Sequence, residues 1–139
     1  MSHFRFDPTI DFVTARAYVP DHGMLPAFAG DSSYVEHVYA GVVGPTGLLA
    51  YRRLLRTVTA QQGSVLVGVD ELGASLGVKR EVILRALERL VRFRFAHWDA
   101  SVLELHTRIP IVDAYHFERL SATAKADHYQ LVRELLAAG

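Results

Sequence analysis

Between residues 46 and 61, Leu48, Leu49, Tyr51, Leu55 and Val58 recur at helical spacing while Arg52, Arg53 and Arg56 gather on the other side, which predicts an amphipathic helix. Pro45 suits its first turn, where a missing N–H has no helical partner to lose. A second helix is predicted over 80–93, with Ile83, Ala86, Leu87, Leu90 and Val91 facing inward. Tyr34, Val35, Val38 and Tyr39 form an apolar stripe behind Asp31-Ser32-Ser33, good capping side chains, and Gly41 with Gly44-Pro45 is expected to stop that helix. Period-two alternation occurs once: Leu103, Leu105 and Thr107 alternate with Glu104, His106 and Arg108. This predicts the second strand of a hairpin, Phe95–Trp98 and Val102–Ile109, turning around Asp99-Ala100-Ser101.

Shorter signals fill the gaps. The β-branched run 64–69 predicts a strand or extended link. Asp70 is a candidate N-cap for a short helix over 71–76, with Gly77 as its left-handed C-terminal residue. Ser121 is a candidate cap for a last helix over 122–137, striped by Leu131, Val132, Leu135 and Leu136. Residues 1–33 hold no sustained period. Pro8, Pro20, Pro26, Gly23 and Gly30 break any long helix, yet Phe4, Phe6, Phe12, Tyr18 and Phe28 are too aromatic for a disordered tail. The expectation is an extended arm with one short helix or strand near Ile10–Tyr18, packed on this subunit or on a neighbour.

Helix, extended link, short helix, tight glycine turn, longer helix, hairpin is an order that resembles the winged helix-turn-helix. The residues carrying it are Val69-Asp70-Glu71-Leu72-Gly73-Ala74-Ser75-Leu76-Gly77-Val78, similar to a scaffold helix and turn, and Arg80 to Leu90, similar to a recognition helix. The resemblance spans residues 46–109. It implies a mainly α fold with a small β-hairpin: an N-terminal arm (1–33), a winged-helix domain (34–110) and a C-terminal helical extension (111–139). It further implies a DNA-binding regulator, cytoplasmic and homodimeric, that docks the 79–89 helix in the major groove of double-stranded DNA. Lys79, Arg80, Arg85 and Arg89 would then face the groove, Arg52, Arg53 and Arg56 the flanking phosphates, and Arg108 or His106 the region of the wing.

Charge adds to this picture. Lys+Arg and Asp+Glu are both 15, yet residues 52–94 hold nine basic and four acidic side chains while both flanks are acidic. Four departures from the resemblance point elsewhere. Val82 and Leu84 stand where polar readers are usual, Val78-Lys79 stands where Ser or Thr is usual, the hairpin tip carries Asp99, and Arg94 stands where Gly is often preferred, so a differently built helix end is expected there. Val82 and Leu84 motivate an alternative, a winged-helix protein-interaction module (an accessory subunit, or a phage or plasmid protein) that captures a protein partner. A ligand sensor with a cavity between the arm and the 34–61 helices is a third option.

Other chemistries find little support. The chain has no cysteine, so disulfides, thiolate zinc and a Cys nucleophile are excluded. No apolar run is long enough for a membrane span, and the first residues lack a signal-peptide core, so a soluble protein with no membrane partner is expected. The seven histidines show no helical metal-ligand spacing, and Gly41 to Gly47 lacks the Lys-Ser/Thr ending of a phosphate loop. No catalytic residue, metal or cofactor is expected, and the histidines are expected to be structural.

Overall fold

The computed structural model describes residues 4–138; His3 lies outside them. Strands β1 (Phe12–Tyr18) and β2 (Ala27–Ala29) precede helices α1 (Ser33–Val43) and α2 (Pro45–Gln61). Then come β3 (Val65–Gly68), α3 (Val69–Ser75), α4 (Arg80–Arg92) and the strands β4 (Ala96–Asp99), β5 (Val102–His106) and β6 (Arg108–Pro110). Two helices follow, α5 (Ala114–Glu118) and α6 (Ala122–Ala138). The fold is mixed α/β and about half helical.

The helices form where caps and stripes direct them. Ser32 caps α1, its hydroxyl accepting from the Val35 amide, and Ser121 caps α6 through the Ala124 amide. Helix α1 passes through Gly41 and stops only at Gly44, whose φ of +84° breaks the ladder and lets Pro45 start α2. Gly77, at φ +73°, ends α3 in the left-handed conformation expected of it, with the Val78 amide reaching back to the Gly73 carbonyl. Asp70 is not an N-cap. It lies in the first turn of α3 behind Gly68, where its carboxylate suits the helix dipole and also reaches Arg80.

The β structure extends beyond the expected hairpin: the stretch near Ile10–Tyr18, expected as a short helix or strand, and the run 64–69, expected as a strand or extended link, are both strands, and β2 and β6 add a second sheet. A four-stranded sheet runs β3-β1-β5-β4, with β1 antiparallel to β3 and parallel to β5. The arm therefore supplies a central strand. Val13 and Ala15 point into the core, while Thr14 and Arg16 point to the open face. The expected strand 102–109 is two strands. At Thr107, whose amide donates to the Tyr18 carbonyl, the chain leaves this sheet and β6 pairs with β2 instead. The hairpin turn is also tighter than expected: Asp99 pairs with Val102, and only Ala100 and Ser101, at φ +49° and +67°, make the turn.

The core lies between the inner face of this sheet and α1, α2 and α4, and includes Tyr34, Tyr51, Ile83, Leu87, Leu90, Phe95, Leu103 and Leu105. Three tyrosines are buried in it with their hydroxyls satisfied. Tyr39 donates to the Pro110 carbonyl at 2.7 Å, Tyr51 donates to the His106 carbonyl, and the Tyr34 hydroxyl accepts from the Val112 amide at 3.0 Å. A Cβ on Gly30 would lie 2.0 Å from the Tyr51 hydroxyl, so only glycine fits there. Helix α6 packs on α1 with Leu131, Val132 and Leu135 half-buried, while Leu136 stays exposed.

Candidate functional site

Helix α4 has two flanks. The first faces the N-terminal arm, which runs alongside it in the opposite direction. Arg80 donates to the Ile10 carbonyl and forms ion pairs with Asp11 at 2.8 Å and Asp70 at 2.9 Å. Two turns on, the buried Glu88 accepts the Phe6 amide at 2.8 Å, and Arg5 lies 3.8 Å from its carboxylate. Phe4 and Phe6 close this side by packing on Trp98. Leu84, expected to face outward, lies on this covered flank at 6% exposure, because the arm adds a layer that residues 79–93 alone do not reveal.

The second flank is open. Val82, Arg85 and Arg89 are spaced along it at one and two turns and line a shallow groove against Gly44, Pro45 and Thr46 at the start of α2. Lys79 stands at the N-terminal end of α4 and is exposed. Among the described residues, Lys79, Arg85 and Arg89 have no acidic partner. The remaining basic residues singled out from the sequence divide differently. Arg53 is exposed and donates to the Ser75 carbonyl at 3.3 Å, which ties α2 to α3. Arg56 is exposed on α2, near Ala29 and Thr107. Arg52 pairs with Glu36 and the Asp31 carbonyl, and Arg108 donates to the Ala27 carbonyl at 2.6 Å. Arg80, Arg52 and Arg108 thus hold the chain's own segments together.

No family model, no curated protein and no solved structure matches the chain.

A second polar cluster, absent from the sequence reading, lies on the open face of the sheet. The register places Arg16 and His97 on either side of Glu104. The buried Glu104 carboxylate accepts from Arg16 Nε at 2.6 Å and from His97 Nε2. Burial alone would raise its pKa, but the hydrogen bonds from Arg16 and His97 and their charges outweigh it, holding the carboxyl below its ordinary value. His97 Nδ1 lies 2.8 Å from His106 Nε2. The Glu104 carboxylate requires N–H at His97 Nε2. His106 Nδ1 is buried and unpartnered among the described residues. Burial, with the neighbouring His97 and His22, pushes the His106 pKa down to about 4.

This cluster borders a cleft of about 890 Å³. Its walls are the 18–25 segment, Tyr39 and Val42 of α1, the end of α4 at Arg92–Arg94, and residues 110–116. Arg94 sits there at φ +64°. The expectation that Arg at this glycine-favouring position means a differently built helix end is corrected. The Phe95 amide reaches the Leu90 carbonyl at 2.9 Å and the Arg94 amide reaches Val91 at 3.3 Å, the usual glycine-type closure with arginine in the left-handed place. Among the described residues, no group of His, Asp and Glu is arranged to hold a metal ion, and no helix is long and apolar enough to cross a membrane.

Proposed function

We propose that the chain is a winged-helix protein that binds double-stranded DNA through the open flank of α4. The observation carrying this reading is that Arg85 and Arg89 share one side of that helix and Lys79 stands at its N-terminal end, all three with no acidic partner among the described residues. Unpaired guanidiniums spaced along a helix suit phosphate oxygens and guanine edges. The order α2, β3, α3, α4, β4, β5 supports it, because such an arrangement carries a helix into the major groove. Arg53 and Arg56 on α2 are the proposed contacts to flanking phosphates. Arg80 is reassigned from the interface to holding the arm. The β4–β5 turn, short and acidic at Asp99, contributes little attraction to a polyanion.

The test is fluorescence anisotropy of the full chain with random-sequence duplex DNA across a salt series, with light scattering to count chains per complex. Binding is expected to weaken steeply with salt. The double change Arg85→Ala and Arg89→Ala is expected to lower the slope of log affinity against log salt by about two, roughly one per lost phosphate contact. Arg80→Ala should leave that slope unchanged. Equal slopes for all three proteins, or no binding at low salt by the folded chain, overturn the reading. In the second case the interaction module becomes the better account, with exposed Val82 rather than buried Leu84 as its contact.

A further inference from the structure

We propose that the cleft at the C-terminal end of α4 is a binding site for a small organic anion, a carboxylate or phosphate on a flat apolar body, with Arg92 and Arg94 meeting its charge. The site is independent of whether α4 binds DNA.

Four features carry this. The first is size: about 890 Å³ lies within the range of small-molecule sites, and the walls mix apolar surface from Leu25, Val42 and Ile111 with a few convergent polar groups. The second is which polar groups are left without partners. Asp21 and Asp113 line the cleft and balance the two arginines in formal charge, but their oxygens are engaged locally. Asp21 accepts the Gly23 amide at 2.8 Å, and Asp113 accepts the His116 amide at 2.8 Å and the His116 ring at 2.9 Å. Arg92 and Arg94 have no acidic partner among the described residues, so the guanidinium donors are the groups in the cleft that remain available to a ligand.

The third feature is the position of Arg94. Its left-handed backbone, φ +64°, is one that glycine adopts freely and arginine does not. The helix end closes through backbone hydrogen bonds that glycine would make equally well. The arginine side chain therefore contributes nothing to the closure, and its place is on the cleft wall. The fourth is the wall formed by His97 and His106, which the Glu104 carboxylate holds in fixed orientation. A fixed ring wall in the same cleft as two guanidiniums is a preorganised arrangement for a planar anion.

The experiment follows the histidine ring resonances of the full chain by NMR at constant pH, titrated with benzoate, phenyl phosphate and the neutral control benzyl alcohol. Saturable movement of the His97, His106 and His116 signals by one or both anions, complete by about 10 mM, is expected, with no comparable response to benzyl alcohol. The tighter of the two anions identifies the headgroup. Arg94→Gly, a change the backbone accepts without strain, should weaken that anion about tenfold, and Arg92→Ala should act in the same direction. Unmoved signals with both anions, an equal response to benzyl alcohol, or undiminished affinity in both variants would overturn the proposal.

Discussion

The two flanks of α4 carry the same residue types and do opposite things. On one side Arg80 meets Asp11, Asp70 and the Ile10 carbonyl, and Glu88 meets the Phe6 amide, so every charge is used to hold the arm. On the other, Arg85 and Arg89 face a groove with no acid opposite them. A count of basic residues treats Arg80 and Arg85 alike. Their surroundings decide which of them remains available to a polyanion, because a guanidinium already paired with two carboxylates offers little net charge.

The largest contrast between the flanks is in stability. Leu84→Ala on the covered flank removes a side chain packed into the core and should cost about 2–5 kcal/mol. Val82→Ala, two residues away but open to solvent, should stay within about 0.5 kcal/mol. Urea denaturation of both variants measures the difference. Similar losses from the two would mean that the arm does not cover the Leu84 side in solution.

Acid should separate the arm side of α4 from the cleft side. The folded pKa of His106 is about 4, below its ordinary value of 6.5. The unfolded chain therefore takes up a proton between those values while the folded chain does not. Stability from this group is complete above pH 6.5 and declines as pH falls towards 4, by at most about 3 kcal/mol. His128, also lowered by burial, adds to the slope in the same direction. Denaturation at pH 7 and pH 4.5 should show the loss, and His106→Gln should flatten the slope without abolishing it. Hydrogen exchange should rise first around β4 and β5, while the arm's contacts to Arg80 persist. A slope unchanged in His106→Gln would show that the buried ring is not what resists protonation.

Legibility followed the range of the interactions. Ser32, Gly77 and Ser121 act within four residues of themselves, and their effects were readable from the chain alone. The insertion of β1 between β3 and β5 was not, because Ala15 pairs with Val65 on one side and Leu103 on the other, with no local pattern to announce it. The arm's coverage of Leu84 is hidden for the same reason. The histidine cluster lay closer to reach. His97 and His106 sit in one predicted hairpin, but a three-residue turn at 99–101 gives the wrong cross-strand partners. The two-residue turn at Ala100–Ser101 places His97 opposite Glu104. Arg94 was the one local clue to the cleft, visible as an arginine where glycine is favoured.

The smallest effect expected is a gain. Holding Arg94 at φ +64° costs about 1–2 kcal/mol relative to glycine. Glycine's greater freedom in the unfolded chain returns about 0.5–1 kcal/mol of that. Arg94→Gly should therefore stabilise the free protein by up to about 1.5 kcal/mol, seen as a rise in Tm of a few degrees or less for a chain of this size. A side chain that held the cleft walls together would give the opposite sign, since its removal would then loosen residues 92–97 and lower the Tm. A gain in stability would mean that Arg94 contributes nothing to the fold that glycine does not. If the same substitution weakens benzoate or phenyl phosphate, the two effects belong to different states of the protein. The residue is then unfavourable in the empty cleft and favourable in the filled one, a pattern that packing alone does not produce.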